Sequence, residues 1–87
     1  MYRVEMSRSV RKQIETVPAF LYPRLAAALE QLSLDPRTNR PGLDCRKLRG
    51  QGGWRVRIGA WRMLYDVDDI VRVVEVTRVG PRPTVYR

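Results

Sequence analysis

Large apolar and charged residues alternate in two neighbouring runs, Trp54-Arg55-Val56-Arg57-Ile58 and Trp61-Arg62-Met63-Leu64-Tyr65. Period-two alternation is the pattern of a half-buried β-strand. Between the runs stands Gly59-Ala60, and a glycine followed by one small residue suits a two-residue type II′ turn, because glycine takes the positive φ that the turn demands. A hairpin closed there pairs Ile58 with Trp61, Arg57 with Arg62, Val56 with Met63 and Arg55 with Leu64. Cross-strand partners point to the same face. Trp54, Val56, Ile58, Trp61, Met63 and Tyr65 therefore form an apolar face, and Arg55, Arg57 and Arg62 gather on the other. This parity assigns both tryptophans to the core rather than to base stacking.

The flanking segments supply the rest of the layers. Tyr2, Val4 and Met6 alternate as in a first strand over Met1 to Met6. Ser7 is suited to N-cap a helix that buries Val10, Ile14 and Val17, turns Arg8, Arg11, Lys12 and Glu15 outward, and stops at Pro18. A second helix fits from about Ala19 to Leu34, with Leu21, Leu25, Ala28, Leu29 and Leu32 on one stripe and Pro23 accommodated in the first turn. Asp35-Pro36 closes it. Arg37 to Asp44, with Pro41 and Gly42, reads as a loop, and Cys45 to Leu48 as a short edge strand. The cluster Gly50-Gln51-Gly52-Gly53 lacks the residue order of a nucleotide-binding loop and reads as a flexible turn. Ile70 to Val79 has strong β composition. A two-residue turn at Asp68-Asp69 would place Glu75 opposite Arg62, on the basic face. Gly80-Pro81-Arg82-Pro83 then ends the strand.

Charge sharpens the picture of the hairpin. The 87 residues, expected to form one domain over residues 1–87, include 17 Lys and Arg against 9 Asp and Glu, a net charge of +8 and a pI near 10.8. Such a balance favours polyanionic partners. Like charges placed opposite one another destabilise a hairpin by about 0.2–1 kcal/mol, so folding gives no reason to set Arg57 against Arg62 beside Arg55. A planar guanidinium fork donates two parallel hydrogen bonds to phosphate, which makes the trio a candidate anion site. The chain contains no histidine and one cysteine, Cys45. His-based catalysis and His-ligated metals are thereby excluded, no metal or other cofactor is expected, and a reducing cytoplasm is the expected setting. No apolar run is long enough for a membrane helix, and no signal-peptide pattern opens the sequence.

Several stretches now fall in a familiar order: Lys47-Leu48-Arg49-Gly50, then Trp61-Arg62-Met63-Leu64-Tyr65, then Val79-Gly80-Pro81-Arg82 followed by Val85-Tyr86. From about Tyr2 to Tyr86 the chain resembles the RelE/ParE superfamily of toxins from toxin–antitoxin pairs. The resemblance implies an α+β fold with two N-terminal helices packed on a twisted, mainly antiparallel sheet, akin to small microbial ribonucleases. RelE-type members cut messenger RNA in the ribosomal A site; ParE-type members inhibit DNA gyrase and lack the RNA-cutting residues. The functional positions of the RelE branch match Arg55, Arg57, Arg62, Arg82 and Tyr86 here, which favours that branch. Arg55 and Arg57 stand where RelE members commonly carry lysine, and Pro81 where a basic or histidine residue is frequent.

The implied reaction is attack of a ribose 2′-hydroxyl on the adjacent phosphate. Arg55, Arg57 and Arg62 would stabilise the transition state, Tyr86 would act as base, and Arg82 would serve the leaving oxygen. Lys47 and Arg49 are expected to join Arg55 and Arg57 in holding RNA. Arg62, set against another arginine, is expected to matter for chemistry more than for folding. The implied partners are an acidic, partly disordered antitoxin, the ribosome with its message, and a higher-order toxin–antitoxin assembly; no membrane partner is expected. Two other readings stand beside this one, a ParE-like gyrase inhibitor and a basic nucleic-acid-binding module.

Overall fold

Local sequence signals set the two helices. In the computed structural model, which describes residues 1–50 and 52–81, strand β1 (Arg3–Met6) leads into helix α1 (Arg8–Glu15). Ser7 caps α1, its hydroxyl accepting a hydrogen bond from the Val10 amide at 3.1 Å. The helix stops at Thr16, before Val17-Pro18, because the residue preceding a proline is driven out of the helical region. A single 3₁₀ turn, Ala19–Leu21, then opens directly into α2 (Tyr22–Leu34). Pro23 falls in the first turn of α2, where its missing N–H would have had no partner. At the other end Asp35 turns the chain, its carboxylate accepting from the amides of Arg37 (3.0 Å) and Thr38 (3.2 Å). Arg40 reaches back to the carbonyls of Gln31 (3.0 Å) and Asp35 (3.1 Å), so a cation satisfies acceptors at the helix C-terminus.

The strands β2 (Asp44–Lys47), β3 (Trp54–Ile58), β4 (Trp61–Asp68) and β5 (Val73–Pro81) join β1 in a five-stranded sheet of order β1-β5-β4-β3-β2. Only β1 and β5 run parallel; the other neighbours are antiparallel. The architecture is α+β with a mixed sheet, and its helices follow β1, as the alternation over Met1 to Met6 and the cap at Ser7 lead one to expect. The β3–β4 hairpin has the register expected from Gly59-Ala60, with Arg57 opposite Arg62 and Ile58 opposite Trp61, and Gly59 at φ +61°. One face of the sheet contributes Val56, Ile58, Met63, Tyr65, Val74, Val76 and Val79 to a core completed by Val10, Leu21, Leu25, Ala28 and Leu32 of the helical segments. Trp54 and Trp61 are partly buried against that core. The phenol of Tyr65 donates to the Pro36 carbonyl at 2.6 Å, and burial pushes its pKa up.

The β4–β5 connection differs from expectation. It is a four-residue loop, Asp69 to Arg72, rather than a two-residue turn, and β5 starts at Val73 rather than Ile70. Three interactions explain the extra length. The Asp68 carboxylate accepts from the amides of Ile70 (2.9 Å) and Val71 (3.2 Å), which folds the loop over its own side chain. Arg72 takes a left-handed conformation at φ +59°, with its guanidinium 4.1 Å from the centre of the Tyr2 ring. Asp69 is gripped by Arg37 through two bonds of 3.0 and 2.9 Å and accepts from the Tyr2 hydroxyl at 2.5 Å. Within β5 a bulge follows: Leu64 faces Arg78 while Tyr65 faces Val76, leaving Thr77 extra, its hydroxyl bonded to the Leu64 carbonyl at 3.2 Å.

Candidate anion-binding face

The face of the sheet turned away from the core is sorted by charge. Alternation along the strands and the observed registers give it four rows. The first holds Asp44, Arg57, Arg62 and Gly80; the second holds Arg46, Arg55, Leu64 and Arg78. Beyond the bulge the sign reverses: Asp66 faces Glu75, which faces Glu5, and the last row holds Asp68, Val73 and Arg3. Arg3 bonds to Glu5 at 2.7 Å. Glu75 thus lies opposite Asp66, not Arg62. The longer loop alone moves it out of the basic rows, correcting the placement expected from a two-residue turn, while the bulge after it sets the face of Arg78.

The arginines differ in how they are held. Arg57 is exposed. Arg55 is tied to Asp44, with Nη1 bonded to its carbonyl at 3.1 Å and its carboxylate at 3.2 Å, and its side chain is only 17% exposed. Partial burial works against ionisation of Asp44, but the bond and charge of Arg55 outweigh it and hold that carboxyl below its usual range. Arg62 is 5% exposed, and its Nη1 donates to the carbonyls of Gly59 (3.2 Å) and Trp61 (3.1 Å). The expectation that Arg62 contributes little to folding therefore gives way: the residue is buried and bonded to its own hairpin turn, which fixes where the guanidinium points.

The parity of the sheet also selects among the remaining candidates. Lys47 pairs with Trp54 and so takes the core-side parity of β2, away from Arg55 and Arg57. Arg49 is exposed in the bend that follows β2. Arg82 and Tyr86 lie outside the described residues. Two arginines not singled out from the sequence, Arg46 and Arg78, share the second row with Arg55. The Leu48–Gly53 closure sets the register that brings Arg46 there, and the Thr77 bulge, which local alternation does not reveal, turns Arg78 to this face. Among the described residues, no group of three or more carboxylate or cysteine side chains is arranged to hold a metal ion, and no helix is long and apolar enough to cross a membrane. The lone thiol, Cys45, is buried, and desolvation raises its pKa.

With this geometry in place, similarity to known proteins is informative. Residues 4–86 match the family model described as the ParE toxin of the type II toxin–antitoxin system parDE. Toxin RelG of Mycobacterium tuberculosis is 28% identical over 88 residues, covering 99% of this chain and 97% of that protein. Among solved structures, the archaeal RelE–RelB complex of Pyrococcus horikoshii superposes with a TM-score of 0.80 at 28% identity, covering 94% of this chain and 96% of that one. A RelBE toxin–antitoxin complex of Mycobacterium tuberculosis gives a TM-score of 0.76 at 25% identity, covering 93% and 98%. The chain belongs to the ParE toxin family, within the RelE/ParE superfamily of type II toxin–antitoxin toxins.

Proposed function

We propose that this toxin is a ribosome-dependent endoribonuclease that cleaves messenger RNA by 2′-hydroxyl attack, leaving a 2′,3′-cyclic phosphate and a free 5′-hydroxyl. The observation that carries this reading is the pairing of Arg57 with Arg62, with Arg55 two residues along the same strand face. The arrangement costs the hairpin stability and is what a site stabilising extra negative charge on phosphorus requires. Arg62, aimed by the Gly59 and Trp61 carbonyls, supplies a preorganised donor. Arg57 supplies the accessible fork, and Arg55, with Nη1 committed to Asp44, supplies flanking charge. Arg82 and Tyr86 complete the set through the family resemblance, as leaving-group partner and base. Helices packed on one sheet face, with the basic residues on the other, suit the expected likeness to small microbial ribonucleases.

The ribosome enters through orientation. Arginines are poor bases, and placing a 2′-hydroxyl in line with its phosphate is worth several orders of magnitude in rate. The protein by itself should therefore cut naked RNA slowly, with ribosomal RNA fixing the message. Its cognate inhibitor is an acidic antitoxin, as supported by the net charge of +8 and by structural relatives that are themselves toxin–antitoxin complexes. Primer-extension mapping on translated message, with and without ribosomes, tests the reading. Discrete cleavage confined to ribosome-bound message supports it, and equal cleavage without ribosomes, or none, overturns it. The description of the matching family model favours a second reading, a ParE-like inhibitor of gyrase; loss of supercoiling without RNA cleavage would establish that instead.

A further inference from the structure

Arg57 also borders a cavity of about 420 Å³ where the end of β3 meets α2, within the roughly 300–1,000 Å³ range of small-ligand sites. Its walls are Arg24 and Ala27 of α2, Pro41 and Leu43 of the loop before β2, and Arg57 and Ile58 of β3. Two other charged residues border it, and both are engaged elsewhere. Arg40 is bonded to Gln31, Asp35 and Thr38, and Asp44 is paired with Arg55. Arg24 is exposed and stands beside the hairpin turn, its Nη1 3.7 Å from where a side chain on Gly59 would begin. The Gly59 carbonyl is one of the two that hold Arg62. One turn thus has a buried, aimed arginine bonded to it and an exposed arginine next to it, with Arg57 common to the sheet face and the groove.

We propose that this groove seats a nucleotide of the RNA strand adjacent to the scissile phosphate, with Arg24 holding that nucleotide's backbone phosphate. The inference rests on the reading of the arginine face as an RNA-cleaving site. A phosphate on Arg57 and Arg62 leaves the next nucleotide of the strand within reach of the groove. The small side chains of Ala27 and Pro41 offer an apolar wall for a flat base, and guanidinium planes stack on bases without regard to sequence. The site takes a nucleoside monophosphate unit of single-stranded RNA, and Arg24 is a substrate-positioning residue rather than a participant in bond breaking.

The test uses a short fluorescent single-stranded RNA with a 2′-deoxy sugar at the cleavage position, so that binding is read without cleavage. Arg24→Gln should weaken binding roughly three- to tenfold and lower the slope of log K against log salt by about 0.7, the loss of one phosphate contact on a single strand. Arg24→Lys should restore the slope. Arg11→Gln, an exposed arginine on α1 away from the groove, should stay within about twofold of wild type. In nitrogen-15 NMR spectra the amides of Ala27, Leu43 and Ile58 should shift on adding the oligomer. Circular dichroism confirms that each variant is folded. The inference is overturned if Arg24→Gln behaves like Arg11→Gln or if wild type does not bind the oligomer. It is also overturned if these amides respond only to an acidic antitoxin peptide, which would give the groove to a protein partner. Failure of the cleavage reading shows separately, as intact translated message with wild-type protein.

Discussion

The two ends of the outer sheet face are built on the same backbone and carry opposite charge. At one end arginine faces arginine, Arg57 against Arg62 and Arg46 against Arg55; at the other, carboxylate faces carboxylate, Glu5 and Asp66 on either side of Glu75. Mixing the signs would have produced favourable cross-strand pairs, so the sorting reflects something other than fold stability. The ends differ in anchoring. Two arginines of the basic end, Arg55 and Arg62, are clamped by backbone carbonyls and by Asp44, whereas among the described residues the acidic row has one ion pair, Arg3 with Glu5, on exposed side chains. The acidic end also terminates in an apolar loop tip, with Ile70 93% and Val71 61% exposed. The contrast teaches that the basic end is preorganised to receive a negative charge, while the acidic end repels a polyanion and so would limit how the proposed RNA substrate lies on the sheet.

The sharpest test lies within the basic end, between Arg62 and Arg57. Arg62→Ala removes a buried, aimed donor and should slow single-turnover cleavage of ribosome-bound message by roughly 10²–10³-fold. It should also lower stability by about 1–3 kcal/mol, because the Gly59 and Trp61 carbonyls lose their partner. Arg57→Ala should slow cleavage by a comparable factor yet leave stability unchanged or raised by up to about 1 kcal/mol, since an exposed arginine opposite another arginine has been removed. Denaturant melts alongside cleavage assays decide it. Equal stability losses in the two variants would break the distinction between aimed and accessible arginine.

The acidic end should respond in the opposite sense. Glu75→Lys places a cation between Asp66 and Glu5, converting two like-charge contacts into attractive ones, and should stabilise the protein by about 0.2–1 kcal/mol. The same change opens this end to phosphate, so affinity for single-stranded RNA should rise, and the salt slope should steepen by about 0.7. The added contacts lie away from the arginine rows, so productive cleavage should gain nothing. Faster cleavage would show that the acidic row does not restrict the RNA path. Binding titrations over a salt series provide the measurement.

How much of this was legible in sequence depends on how local each feature is. The β3–β4 register was readable because alternation and a Gly-Ala turn fix it within a dozen residues. The presence of both helices was readable from Ser7, Pro18, Pro23 and the leucine stripe for the same reason, but not their inner ends: α1 stops at Glu15 and Ala19–Leu21 forms a 3₁₀ turn before α2. The place of Glu75 was not, because it depends on Asp68 folding the loop over itself and on Arg37 and Tyr2 gripping Asp69 from distant parts of the chain; nor was the face of Arg78, which depends on Thr77 entering as a bulge. A strand slipped by one residue changes the face of every side chain after it. Alternation assigned Arg62 to the correct face and said nothing of depth, since burial depends on which neighbours cover it. Arg46 was passed over because the register of β2 is set across the Leu48–Gly53 closure, where the Leu48 amide bonds to the Gly53 carbonyl at 3.1 Å.

The smallest expected effect concerns two carboxylates whose pKa is held low by a cationic partner, Asp69 at the acidic end and Asp44 at the basic end. Asp69 accepts from Arg37 in two bonds and from the Tyr2 hydroxyl, and those bonds lower its pKa against slight desolvation. Asp44 also titrates low through Arg55, but there desolvation is the larger opposing influence. A carboxyl whose folded pKa is depressed binds protons more readily in the unfolded chain. The stability it contributes is therefore present above the usual carboxylate range near pH 4 and is lost as pH falls through the folded value. Asp69→Asn should lower stability at neutral pH and flatten the fall of stability below about pH 4, with Asp44→Asn doing the same to a lesser degree. Urea melts from pH 7 down to pH 2 would show it. A steeper acid limb in Asp69→Asn, or a larger change in Asp44→Asn, would mean that the grip of Arg37 and Tyr2 on the acidic-end loop is not what holds that end of the sheet.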